Sequence, residues 1–156
     1  MDILLTGFRG TSSELLVKKS KYKSIILPND KILDSRILLW EIRRQKYDYV
    51  FGFGQKPNIK DKIYLEIAAK NNNDCVITNF EYSLLKDSLE SENMSVKISG
   101  NAGTSFCNAL YYNVLRYIID KKSDVKMIFC HLPFYKNITY PESFFDCVLN
   151  VIERKV

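Results

Sequence analysis

Residues 96–130, VKISGNAGTSFCNALYYNVLRYIIDKKSDVKMIFC, read as strand, turn, helix and strand in one continuous run. Val96 to Ser99 is a short strand pattern, and Gly100-Asn101-Ala102-Gly103 turns the chain. Phe106, Leu110, Val114 and Tyr117 recur at the spacing of one helical face, which predicts a helix running to Lys121 with those side chains inward. Val125 to Cys130 returns as an apolar strand, interrupted beyond His131 by Pro133. Strands joined through helices imply an α/β domain with a mostly parallel sheet.

The same alternation extends in both directions. Ile3 to Thr6 reads as a buried first strand ending at Gly7, residues 13–20 as a short helix, and Tyr22 to Leu27 as a strand stopped by Pro28. Leu33, Ile37 and Trp40 mark the inward face of a helix over 31–46, followed by a strand from Tyr47 to Phe53. A fourth strand is expected over 62–70. Thr78-Asn79-Phe80-Glu81 has the form of a capping box, predicting a helix to about Glu92. Pro141 suits the first turn of a last helix, with Phe144, Phe145, Val148 and Ile152 inward. Without repeats or linkers, residues 1–156 read as one domain.

Composition narrows the function classes. No apolar run is long enough to cross a bilayer, and MDILLTGFRG lacks the features of a secretory signal. Cysteines at 75, 107, 130 and 147 form no CxxC pair, so reduced thiols and a cytoplasmic setting are expected. With one His and scattered thiols, neither a metal site nor a cofactor is expected. Lys18, Lys19, Lys21 and Lys23 read as a solvated face rather than a nucleic-acid site, because no binding module accompanies them. No partner in nucleic acid or membrane follows; a homo-oligomer is compatible with the sequence.

Three positions could carry chemistry at strand ends, where open α/β sheets gather ligands. Cys107 falls in the first turn of the helix after Gly103, where unpaired N–H groups favour a thiolate; the bland reading is a small core residue. His131 ends its strand and could act as a base toward a thiol, or be a structural histidine. Glu66 interrupts the apolar stretch Ile63 to Ala69, so it is either an edge charge or a buried acid with a partner. Together they supply a nucleophile, a base and an orienting acid. Gly52-Phe53-Gly54 lacks the third glycine of a dinucleotide site, and no phosphate loop or GxSxG elbow occurs.

Five segments resemble the pyroglutamyl peptidase I family. Ile3-Leu4-Leu5-Thr6-Gly7-Phe8 is similar to its opening ILVTGF, and Gly54-Gln55 to the Gly-Gln or Gly-Leu after its third strand. Glu66-Ile67-Ala68-Ala69-Lys70-Asn71 resembles E-R-x-A-x-N, Ala102 to Asn108 resembles A-G-x-x-x-C-N, and Phe129 to Phe134 resembles F-I-H-V-P-Y. The resemblance implies a three-layer α/β/α sandwich, phosphorylase/hydrolase-like, with Cys107 as nucleophile, His131 as base and Glu66 as its orienting acid. It also implies Phe8, Gln55 and Phe106 as substrate-binding residues. Departures are concentrated around the pocket. Arg9-Gly10-Thr11-Ser12-Ser13 replaces the family's PFGG loop, Ile67 replaces an Arg, Val76 stands where the family has an active-site Arg, and the segment that follows is nearly absent.

The expected activity is therefore a cysteine peptidase removing an N-terminal pyroglutamyl or related small acyl residue from a peptide with a blocked N-terminus. A binding or scaffold relative that kept the fold without the lid and Arg is the alternative; a nucleic-acid-associated protein is a third reading.

Overall fold

A computed structural model describes residues 1–155 of the chain. Its elements in order are β1 (Ile3–Phe8), α1 (Ser12–Lys18), β2 (Lys23–Leu27), α2 (Leu33–Arg44), β3 (Tyr49–Gln55), β4 (Lys62–Glu66), β5 (Ala68–Asn71), β6 (Asp74–Ile77), α3 (Tyr82–Ser91), β7 (Ser95–Ser99), α4 (Phe106–Asp120), β8 (Lys126–Leu132) and α5 (Pro141–Lys155). Six strands form one sheet in the order β2-β1-β3-β8-β4-β7. Within this sheet, among the described residues, only the β4–β8 pairing is antiparallel, so β4 and β7 run against the other four strands.

Strand alternation divides the sheet into two apolar layers. Ile3, Leu5, Phe51, Phe53, Ile128 and Cys130 face α1, α3 and α5. Leu4, Val50, Met127 and Phe129 face α2 and α4. This is the expected α/β/α sandwich. Because both faces are covered, β1 is buried at all six positions, which explains a sequence that is apolar or glycine except at Thr6.

Four local expectations are corrected. The stretch 62–70 is not one strand: the ladder of β4 stops at Glu66, and Ala68–Asn71 folds back on β6 as a separate hairpin. Sequence reading missed β6, whose four residues are too short to show a period. The Thr78 hydroxyl does not cap a helix; it donates to Met127 O and accepts from Phe80 N–H, while Asn79 Nδ2 donates to Val125 O at 2.8 Å and its Oδ1 accepts from Met127 N–H at 3.1 Å. These side chains satisfy the backbone of β8 below its pairing with β4, and α3 starts at Tyr82.

The inward face of α2 is Asp34, Ser35, Leu38, Glu41 and Ile42, whereas Leu33 and Trp40 are exposed. Leu38 and Ile42 supply the apolar contact, and polar partners make the rest of that face tolerable. Asp30 accepts from the N–H groups of Ile32 and Leu33 at the helix start, Ser35 accepts from Asn113, and the Arg44 guanidinium covers the Trp40 ring. On α4, Leu110 and Val114 are buried as expected, but Tyr111, Leu115 and Ile118 complete the face and Phe106 is partly exposed. The lysine run is matched by acids: Lys18 with Glu14, Lys19 with Glu142 and Asp146, Lys21 with Glu153, and Lys23 with Glu41.

Glu41 ties α2 to the sheet. Burial pushes its carboxyl up, but Lys23, Tyr47 and Arg44 outweigh that and hold it down at about 2. A depressed folded-state pKa contributes stability above the unfolded value, and that contribution is lost as pH falls through the folded one. Glu41→Gln should therefore cost about 1 kcal/mol at neutral pH, the figure being kept small because Lys23 and Arg44 are half-exposed. Thermal melts of both proteins check this: the gap should close between about pH 4.5 and about pH 2, and a gap independent of pH would refute it.

Candidate active site

The antiparallel pairing of β4 with β8 sets Glu66 opposite Phe129 and Tyr64 opposite His131. Glu66 and His131 are thus diagonal neighbours on one face, within reach of long side chains. Glu66 Oε1 lies 2.8 Å from His131 Nδ1, with the acid fully buried and the imidazole nearly so. A carboxylate can only accept, so Nδ1 carries the proton and Nε2 is the basic nitrogen. Of the two readings open for Glu66, the structure shows the buried acid with a partner.

Cys107 reaches the same face from α4. In the parallel ladder Gly54 stands beside His131 and Gly52 beside Phe129. A Cβ at Gly54 would lie 2.5 Å from Cys107 Sγ, and one at Gly52 would lie 2.6 Å from the Phe129 ring. The two glycines therefore hold open the space that the thiol and the ring fill. Neighbouring strands are about 4.8 Å apart, so a sulfur resting on Gly54 is brought next to His131.

Three bonds fix α4 at this distance. Asn108 Oδ1 accepts from Lys70 N–H at 3.0 Å and its Nδ2 donates to Lys70 O at 2.8 Å, docking the helix on β5 like an extra strand residue. Tyr111 OH donates to Glu66 O at 2.8 Å, joining the helix to the backbone of the acid. Sequence reasoning did not assign roles to Asn108 or Tyr111, although Asn108 follows the cysteine in the motif. Ser105 stands at the N-cap without a side-chain bond, so first-turn N–H groups of α4 are left without a cap from it.

The thiol is not a standing thiolate. Burial pushes Cys107 up to about 12; its own N–H opposes this, Glu66 and Asp34 add to it, and Lys56 lowers it. Desolvation of a half-buried sulfur thus outweighs the helix terminus that sequence reading expected to win.

A cavity of about 590 Å³ opens on this group. Cys107 and His131 line it, together with Phe8, Gln55 and Phe106, so the five cavity-facing residues expected from sequence share one site; Glu66 lies behind His131. Gln55 is oriented by Ser12, whose N–H donates to its Oε1 at 3.0 Å. Phe134 and Lys56 also line the cavity and were not singled out as site residues. Val76 does not line it; it is buried among Ala69, Ala102 and Leu110 as core. Among the described residues no group of three acids, cysteines or histidines is placed to hold a metal.

Because Gly54 leaves no room for a side chain, Gly54→Ala should displace the Cys107 sulfur rather than simply loosen the fold. Overpacking of this kind costs about 1–3 kcal/mol. The expected result is a modest drop in Tm with a large change in Cys107 alkylation rate, followed by mass spectrometry. An unchanged rate would show that the sulfur does not depend on this contact.

No protein-family model matches the chain. Among solved structures, the pyrrolidone carboxyl peptidase of Fervidobacterium islandicum superposes with a TM-score of 0.89 at 20% identity, covering 99% of this chain and 97% of that one. The pyroglutamyl peptidase I of Bacillus amyloliquefaciens gives 0.79 at 18% identity, covering 98% and 92%. At these identities they establish a common fold. Over sequence, the pyrrolidone-carboxylate peptidase of Thermosipho melanesiensis is 32% identical in an alignment that covers 88% of this chain and 85% of the relative. A likeness sustained over most of both sequences, on the same fold, makes this chain a member of the pyrrolidone-carboxylate peptidase family.

Proposed function

We propose that the chain is a cysteine peptidase, one domain over residues 1–156, that removes an N-terminal pyroglutamyl or related small acyl residue from peptides in the cytoplasm without a cofactor. The observation that carries this reading is the buried Glu66–His131 pair, 2.8 Å apart, behind a cavity that His131 and Cys107 both line. The membership established above supports the substrate class.

In this mechanism His131 Nε2 takes the Cys107 proton as Sγ attacks the scissile carbonyl carbon. A C–S bond forms, and the carbonyl electron pair becomes an oxyanion facing first-turn N–H groups of α4, that of Cys107 among them. The oxyanion collapses, the C–N bond breaks, and the imidazolium gives its proton to the leaving amine. Water, activated by the neutral imidazole, then attacks the thioester, releasing the acyl group as its acid and restoring the thiol. Glu66 holds the tautomer and stabilises the imidazolium. Phe8, Phe106 and Phe134 offer apolar walls to a small ring. Because Gln55 Oε1 is occupied by Ser12, its amide N–H groups remain for a substrate carbonyl.

Turnover of a fluorogenic pyroglutamyl amide tests the assignment. Cys107→Ala and His131→Ala should each lower kcat by more than about 10³-fold, and Glu66→Gln by about 10²-fold or more. Cys107→Ala and Glu66→Gln should melt near wild type, whereas His131→Ala, which takes a partner from the buried Glu66, should melt lower. Activity surviving in Cys107→Ala would place the chemistry elsewhere. Absolute rates should be low, since Val76 brings no cation to the cavity and one well-placed donor is worth roughly 10²–10³ in rate.

A further inference from the structure

Lys56 is the one lysine or arginine among the described residues lining the cavity. It follows β3 directly, and its N–H donates to Leu132 O at 2.9 Å, which pins its backbone beside the end of β8. Its side chain is 27% exposed and crosses the Tyr64 ring, Nζ lying 5.2 Å from the centroid. The ammonium then makes two contacts. It donates to Asn101 O at 2.9 Å and lies 3.4 Å from Glu66 Oε1, the oxygen that also receives His131 Nδ1–H. The other oxygen, Oε2, is buried without a hydrogen-bond partner. All support for this charge therefore converges on one atom.

Asn101 belongs to the turn leading through Gly103, at φ +88°, to Ser105 and the first turn of α4. We propose that Lys56 is a positioning residue: its ammonium holds Glu66 ionised behind His131 and, through Asn101, fixes the cavity rim that leads into Cys107. The inference rests on the triad assigned above. Lys56 sets the proton affinity of the Glu66–His131 pair and the placement of the nucleophile together.

The other titratable groups around the pair are Tyr64 on β4, Lys97 on β7 (across the same Tyr64 ring), Cys107 and Tyr111 on α4, and Cys130 on β8; Asp34 of α2 acts on Cys107. Burial pushes Cys107, Tyr111 and Cys130 up, so these three carry no charge at neutral pH. Among the described residues, Glu66 forms an ion pair with Lys56 and a hydrogen bond with His131. Removing a positive charge beside a coupled pair makes its proton bind more tightly, whichever atom holds it. His131 must be neutral to take the thiol proton, so the acid limb of Cys107 reactivity should move to higher pH without Lys56.

The experiment is the pH profile of iodoacetamide alkylation at Cys107, read by mass spectrometry on the full chain from about pH 5 to about pH 9, where imidazole titrates. Wild type, Lys56→Met, Lys56→Arg and His131→Ala are compared, with exposed Cys75 as the internal reference. In Lys56→Met the limb should rise by about one pH unit, the low end for a charge at this range. Below the limb, alkylation then falls about tenfold relative to Cys75. Lys56→Arg should restore the wild-type limb, and kcat on the pyroglutamyl amide should fall in Lys56→Met with KM little changed. Superimposed limbs in wild type and Lys56→Met overturn the inference, as does a pH-independent slowing that tracks a lower Tm. A wild-type profile identical to that of His131→Ala refutes the triad and the inference with it. A limb that moves as expected in a protein without turnover refutes the peptidase reading alone.

Discussion

Glu66 is a carboxylate with no exposure to solvent, and the arrangement of the site follows from having to keep it there. Isolated burial of such a charge would simply neutralise it. Here the antiparallel run of β4 places the acid diagonal to His131, and Lys56 leans in from the end of β3. Even so, Oε2 is left without a partner, a desolvation cost of about 1–3 kcal/mol. A fold under pressure for stability alone would put an apolar residue at this position, since replacing buried ion pairs by packed apolar groups is often neutral or stabilising. The retained charge is intelligible in the proposed mechanism, where it stabilises the imidazolium.

The two faces of the sheet divide the labour. Toward α1, α3 and α5 the buried side chains of β1, β3, β4 and β8 are apolar or thiol, namely Ile3, Leu5, Phe51, Phe53, Ile63, Leu65, Ile128, Cys130 and Leu132. Toward α2 and α4 the same strands present Thr6, Gly52, Gly54, Glu66 and His131 between their apolar residues. Packing on the first face can be dense because nothing there must react. On the second face the glycines remove side-chain volume where Phe129 and Cys107 enter. A one-residue register slip in β8 would exchange His131 for Cys130 or Leu132 and abolish the site while leaving a foldable sheet.

This parity also explains what could be read in advance. Strands such as Ile3–Phe8 and Lys126–Leu132 are mostly apolar runs, and Leu110 and Val114 repeat at helical spacing, so the layers were legible. Cys107, His131 and Glu66 were legible as motif residues. The hairpin β5–β6 was not, because its strands have four residues each and owe their stability to Asn108 and Tyr112 of α4, which bond to Lys70 and Asp74. The face of α2 was misjudged because it buries two acids whose partners the helical period does not show: Asp34 accepts from Asp30 N–H ahead of the helix, and Glu41 pairs with Lys23 of β2 and with Tyr47 beyond the helix. Lys56 was invisible for the same reason: nothing in Gly54-Gln55-Lys56-Pro57 discloses that Glu66 and Asn101 lie within reach of its ammonium.

The state of the thiol completes the account. With burial pushing it up to about 12, the Cys107 thiol keeps its proton at neutral pH when it acts alone. In the proposed mechanism the thiolate is then made during attack rather than stored beforehand. That places the demand on the imidazole, and through it on Glu66: the proton can leave sulfur only to the extent that the resulting imidazolium is stabilised. A helix terminus stabilises the sulfur anion but does nothing for the proton it sheds. A buried acid does the reverse. Having both at one cavity lets charge separate across the thiol–imidazole pair with a stabilising group at each end, although burial disfavours each charge singly. The buried carboxylate and the open first turn of α4 are therefore two halves of one electrostatic arrangement, joined through the Tyr111 hydroxyl that bonds the helix to the backbone of Glu66.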